Sequence, residues 1–279
     1  MKAIHIVERV YAALSSQVSN GAIPISLRPP TLVGTVQDDP FDCWIGAKVR
    51  RALPDIEVFH AGKLTTPDIV LRHRRSNCLV GLEVKKLIQR PDGKDPRGLT
   101  LDYNSCVPCG KALVKIGCDT VEVPCFYLFA LLSNDSSSIV TSILMDGDFL
   151  NHDFELHKEA KYANRTEYDH GPYGEGSVRH RRMYTYPNPL NCKLNFFHLR
   201  HILVVKQHDL TDLGARQTAW TDLIIRNDRF SNTFHYVVIE SGRGGALPLD
   251  QLPVRRDVFR ACKGRRPRER AVSMPRLPE

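Results

Sequence analysis

Two acids and a lysine stand close together in "TTPDIVLRHRRSNCLVGLEVKKL", residues 65 to 87: Asp68, Glu83 and, two positions on, Lys85. The residues around them are those of β-strands, and strand alternation places Glu83 and Lys85 on one face, with Leu82 and Val84 on the other. If "RRSN" makes the turn so that Arg74 pairs with Asn77, the same register sets Asp68 opposite Glu83, because both pairs sum to 151. Opposed side chains in an antiparallel pair have Cβ atoms about 5 Å apart, and two carboxylates at that separation repel. A raised pKa or a bound cation relieves the repulsion. Mg²⁺ suits such a pair, since it takes one or two protein carboxylates together with waters and a phosphate oxygen. Lys85 would project beside that metal, where it can hold or deprotonate a water or stabilise charge developing on a phosphate. The chemistry indicated is phosphodiester hydrolysis. A surface hairpin with an ordinary charged face has the same spacing, so spacing alone leaves both readings open.

The order Pro67-Asp68, fourteen intervening residues, then Glu83-Val84-Lys85 resembles the PD-(D/E)XK nuclease motif. Within that superfamily the size, basic character and polar insertion after the motif look most like a type II restriction endonuclease, over about residues 35 to 150. The resemblance implies an α/β fold, a mixed central β-sheet flanked by helices in a restriction-endonuclease-like core with irregular insertions. By that resemblance Asp68 and Glu83 bind Mg²⁺, Lys85 assists the attacking water, and cleavage of duplex DNA leaves 5′-phosphate and 3′-hydroxyl ends. Family members often add an acid from the helix before the motif, and Asp42 is the position that matches. Asp39 and Glu57 compete with it, and capping with the helix dipole already accounts for both aspartates.

These groups need elements to hold them. Residues 31 to 53 contain a helix start, with Asp39 as cap, Pro40 at the first helical position and Asp42 in the first turn, and the helix ends near Pro54. "IEVFHA", "DIVLRH" and "CLVGLEVKKL" then read as successive strands of a meander. "CFYLFALLS" (125 to 133) and "SIVTSILMDG" (138 to 147) are continuous apolar runs that suit central strands buried on both faces. The first seventeen residues form an amphipathic helix, "DFELHKEAKYA" a second helical stretch, and "FFHLRHILVVKQ" and "FHYVVIES" return to strand character.

Two polar stretches, about 90 to 115 and 164 to 195, read as insertions that recognise DNA. Asn104, Ser105 and Lys111 of the first are candidates to read bases; a tight structural turn is the alternative. Arg179, Arg181 and Arg182, beside Tyr184 and Tyr186, form a basic and aromatic cluster that can read guanines or clamp phosphates, or else a solvated basic loop. Arg72, Arg74 and Arg75 in the hairpin turn can add phosphate contacts. Residues 1 to 254 are expected to form one domain. From Arg255 onward eight Arg and one Lys outnumber three acids, which reads as a basic, extended and mobile tail.

The 279 residues carry 42% hydrophobic and 25% charged side chains, enough for a folded core. The 39 Lys and Arg against 31 Asp and Glu give a formal charge of +8, which suits a polyanionic partner. No apolar window reaches the roughly 18 residues of a membrane span, and charged Glu8 and Arg9 interrupt any signal-peptide core, so a cytoplasmic protein is expected. Eight scattered cysteines fit reduced thiols, with Cys106 and Cys109 of "CVPC" as the one close pair and a zinc site with Cys118 and Cys125 as the lesser reading. His60, His198 and His201 read as core or surface histidines. No phosphate-cradling or dinucleotide fingerprint is present, so no nucleotide cofactor is expected. The expectation is therefore an Mg²⁺-dependent site-specific endonuclease, a homodimer if its target is palindromic. The rivals are a structure-selective repair or junction-resolving nuclease of the same fold, and a DNA-binding protein without catalysis.

Overall fold

A computed structural model describes residues 1–33, 36–62, 65–89, 91, 99–100, 110–151, 185–186, 201–213, 220–227, 230–240 and 274–278. Its main feature is a mixed sheet of eleven strands. In chain order the strands are β1 (Ile23–Pro24), β2 (Leu32–Val33), β3 (Val36–Gln37), β4 (Ile56–His60), β5 (Ile69–His73), β6 (Leu79–Ile88), β7 (Leu99–Thr100), β8 (Lys111–Ile116), β9 (Asp119–Leu132), β10 (Ser138–Asp146), β11 (Thr185–Tyr186), β12 (His201–Lys206), β13 (Trp220–Asn227), β14 (Thr233–Glu240) and β15 (Arg276–Leu277). The helices are α1 (Ala3–Ser15), α2 (Pro40–Ala52), the short α3 (Gly147–Asn151) and a single turn at Leu210–Leu213.

The sheet runs β13-β14-β12-β10-β9-β6-β5-β4, with β1, β8 and β15 joined beside this path. Pairings β6–β9 and β10–β12 are parallel, while the β4–β5–β6 meander is antiparallel. The chain is thus a mixed α/β fold, as the strand and helix signals indicate.

Two cores explain the long apolar strands. On one face α1 and α2 lay Ile6, Val10, Phe41, Ile45 and Val49 over Ile69, Leu71, Leu82, Val84, Phe126 and Leu128. On the other face β8 and the first half of β9 fold back as an arm, so that Ala112, Val114 and Val123 pack with Val70, Leu87, Cys125, Tyr127 and Phe129. The runs 125 to 133 and 138 to 147 are accordingly central strands with both faces covered.

The chain end departs from expectation. Leu277 is buried in the second core, β15 pairs parallel with β8, and the Lys115 N–H donates to the Pro275 carbonyl at 2.8 Å. Residues 274–278 are therefore docked rather than part of a mobile tail, because one apolar side chain among the arginines finds a socket on the arm. They also extend the sheet beyond the single domain expected to close at residue 254. Residues 255–273 lie outside the described residues, as do the second helical stretch, His198, Cys106 and Cys109.

Candidate active site

The β5–β6 hairpin has the register that the sequence suggests. Ile69 faces Leu82, Val70 faces Gly81 and Leu71 faces Val80, and the His73 N–H closes the ladder on the Cys78 carbonyl at 2.9 Å. The turn between them places Asn77 at a φ of 50°, a left-handed conformation that asparagine tolerates well. Continued one step past Ile69, this register puts Asp68 opposite Glu83. There the backbone ladder stops and a side chain takes over: the Val84 N–H donates to Asp68 Oδ2 at 2.8 Å. The Asp68 carbonyl accepts from the Ala61 N–H at 2.8 Å, which ties the residue to the end of β4 as well.

Close packing helps fix this register. Pro67 lies over Gly81, where an added Cβ would approach the proline Cγ to 2.8 Å. Only glycine leaves room for the ring that precedes Asp68.

The polar face of the hairpin differs from the solvated face a free hairpin would have. Glu83 is 1% exposed and shares its side of β6 with Leu87, next to Tyr127 on the parallel strand β9. That side of β6 belongs to the second core, with Leu87 and Tyr127 in it. Lys85, itself mostly buried, donates its ammonium to Glu83 Oε1. An ion pair so far from water demands good geometry and further partners to offset desolvation.

Helix α2 brings two more acids. Asp39 caps it as expected, accepting the Phe41 N–H at 2.9 Å, and Pro40 opens the helix. Asp39 also accepts from the ammonium of Lys86 on β6. Asp42, in the first turn, has its carboxyl pushed up to about 8, chiefly by burial and then by the negative charges of Asp68 and Asp39, with Lys86 and Lys85 acting in the opposite direction. The structure therefore brings Asp42, Asp68, Glu83 and Lys85 into one neighbourhood from three elements. Asp39 and Lys86 border that neighbourhood through the ion pair between them. Glu57, the other competitor, is taken up by Arg72 at 2.6 Å.

Among the described residues no group of three or more His, Cys, Asp and Glu side chains is arranged as a metal site. Mg²⁺ does not require one, because it keeps several waters and uses one or two carboxylates. Carboxylate oxygens are the hard donors that ion takes, and Asp68 with Glu83 or Asp42 could hold it.

The remaining candidates are dispersed. Lys111 opens β8 and pairs at the surface with Glu122 at 2.5 Å. Asn104, Ser105, Arg179, Arg181 and Arg182 lie outside the described residues. Arg72 donates to the Pro278 carbonyl at 3.0 Å and lies over the Phe59 ring, so it braces the chain end instead of standing open to a phosphate. Arg74 and Arg75 are exposed. His201 is a core residue, bonded to Ser142 Oγ at 2.9 Å and to the Gly21 carbonyl at 3.1 Å. Cys125 is buried and Cys118 exposed, and neither is in a disulfide.

A second acid and lysine group escaped the sequence reading. At the end of β10 the Asp148 N–H donates to Asp146 Oδ1 at 2.8 Å, and Lys206 reaches Asp148 Oδ2 at 2.5 Å and Asp146 Oδ2 at 3.5 Å. The Asp148 carboxylate is pressed on Gly110, where an added Cβ would sit 1.7 Å from Oδ1. Burial raises the Asp146 carboxyl to about 7, against the pull of Lys206. The signal was the acid, glycine, acid sequence ending an apolar strand, but its lysine lies sixty residues away from Asp146.

No helix among the described residues is long and apolar enough to cross a membrane. Comparisons with protein-family models, with curated proteins and with solved structures return no match.

Proposed function

We propose that this protein is an Mg²⁺-dependent DNA endonuclease that cuts duplex DNA at a short specific sequence, in the manner of type II restriction enzymes. The observation that carries the reading is the hairpin register that sets Asp68 opposite Glu83, with Lys85 on the glutamate and Asp42 drawn in from α2. Carboxylates brought together away from water repel one another, and a bound cation relieves that repulsion.

Asp68 and Glu83, with Asp42 as a third oxygen donor, would hold Mg²⁺, which when bound lowers the pKa of a water and offsets charge at a phosphate. Lys85 keeps its ammonium beside Glu83, where it orients the attacking water and stabilises the negative charge that grows on the phosphoryl oxygens. Water oxygen bonds to phosphorus, the bond to the 3′-oxygen breaks, and the products are a 5′-phosphate and a 3′-hydroxyl. The Asp42 carboxyl must lose its proton to serve, so the metal competes with the proton there. The formal charge of +8 favours association with DNA, and a palindromic target would call for a two-fold homodimer.

Purified protein incubated with phage DNA and Mg²⁺, followed by sequencing of the fragment ends, tests the proposal. Discrete ends at one short sequence are expected. Cleavage only at junctions or mismatches would move the activity to structure-selective repair, and binding without any cleavage in Mg²⁺ or Mn²⁺ would leave a DNA-binding protein.

A further inference from the structure

Lys86 follows Lys85 on β6, projects from the opposite face and meets the Asp39 carboxylate. The oxygen it reaches, Oδ1, is the one that caps α2 by accepting the Phe41 N–H, while the Asp39 carbonyl accepts the Cys43 N–H at 3.2 Å. Asp39 thus fastens the first turn of α2 to itself and, through Lys86, to the strand that carries Glu83 and Lys85. Asp42 belongs to that turn. The pair is 29% and 37% exposed, so it contributes little to global stability. Its influence is local, at a helix terminus, where fraying begins.

We infer that Lys86 is a positioning residue: through Asp39 it fixes the first turn of α2 on β6 and so holds the Asp42 carboxylate near Asp68. This rests on the nuclease reading for the role of Asp42, and on the geometry alone for the anchoring. Lysine is one of few side chains long enough to span the gap, and arginine is another. Neither Lys86 nor Asp39 is assigned any contact with substrate.

The full-length chain is compared with Lys86→Met, Lys86→Arg and Asp39→Asn, and with Lys2→Met, which breaks the remote surface pair to Asp212. Three readouts are taken: amide exchange over residues 41 to 45 without metal, Mn²⁺ affinity by electron paramagnetic resonance, and cleavage kinetics. Lys86→Met and Asp39→Asn should speed exchange of the first turn of α2 with the remainder of the helix unchanged. Mn²⁺ affinity and kcat should each fall by about tenfold, as for residues that orient metal ligands, with KM for DNA within about twofold. Lys86→Arg should restore both, and Lys2→Met should alter none of them. Exchange and Mn²⁺ affinity unchanged in Lys86→Met, or equal damage in Lys86→Arg, would overturn the inference. If the unaltered chain neither binds Mn²⁺ nor cleaves, the nuclease reading fails, and the exchange result still decides whether Lys86 anchors α2.

Discussion

At the end of β10, Asp146 and Asp148 meet Lys206; at the open end of the β5–β6 hairpin, Asp68, Glu83, Asp42 and Asp39 meet Lys85 and Lys86. Both groups bury carboxylates beside lysine, yet they are built differently. The first draws its acids from one turn, satisfies one with the backbone N–H of the other, and spans both with a single ammonium. The second gathers acids from the start of a helix, the lead into one strand and the middle of another, and gives two of them separate lysines, Lys85 on Glu83 and Lys86 on Asp39. A network of the first kind fixes the fold where β10 turns into α3. A group of the second kind, drawn from separate elements, is the one the nuclease proposal puts to use.

The sharpest way to break this contrast is to neutralise one acid in each group. Glu83→Gln should lower Mg²⁺-dependent cleavage by at least about a thousandfold, equivalent to about 4 kcal/mol of transition-state stabilisation. Asp146→Asn should leave the Mg²⁺ dependence as it is. Full activity in Glu83→Gln, measured on plasmid under single-turnover conditions, would remove the distinction.

Stability should respond in the reverse sense. Lys206→Met leaves buried Asp146 beside Asp148 without its cation and should cost about 2 kcal/mol, less than a fully buried pair because Lys206 retains some solvent. The pH dependence carries a sign. The Asp146 carboxyl titrates near 7 in the folded chain and near about 4 when unfolded, so the native state binds the extra proton between those values. Its stabilising contribution is complete below about 4 and is lost as pH rises through about 7. Urea midpoints compared at pH 5 and pH 8 should therefore differ less in Asp146→Asn than in the unaltered chain.

The smallest effect is expected at Lys111. Its pair with Glu122 is about half exposed on both sides, so Lys111→Met should change stability by no more than about 0.5 kcal/mol. If Lys111 meets a phosphate, the salt slope of DNA binding should drop by about one. An unchanged slope would take it off the DNA surface.

Much of the hairpin that carries Asp68, Glu83 and Lys85 was legible because its determinants are local. The sum that pairs Asp68 with Glu83 depends only on a short turn, and the Asp39, Pro40 cap is written in consecutive residues. The apolar runs 125 to 133 and 138 to 147 declared burial on both faces by lacking any alternation. What stayed hidden depends on residues far apart in the chain. Nothing near Glu83 announces that it will be buried, nor that β9 will lie parallel to β6. The partner of Lys86 is 47 positions away, and no periodicity marks it. The docked end at Leu277 was masked by its setting, since a two-residue strand between prolines in an arginine-rich stretch leaves no pattern to detect.

The glycine beneath Pro67 has a consequence for how this chain tolerates change. Gly81 has no side chain of its own, yet any side chain there would meet the Pro67 ring that leads into Asp68 and, on the nuclease reading, disturb the place of that acid. In a library covering every substitution, selection for activity should therefore deplete alanine at 81 nearly as severely as asparagine at 68. The hairpin's chemistry would then be inherited together with a position that performs none of it.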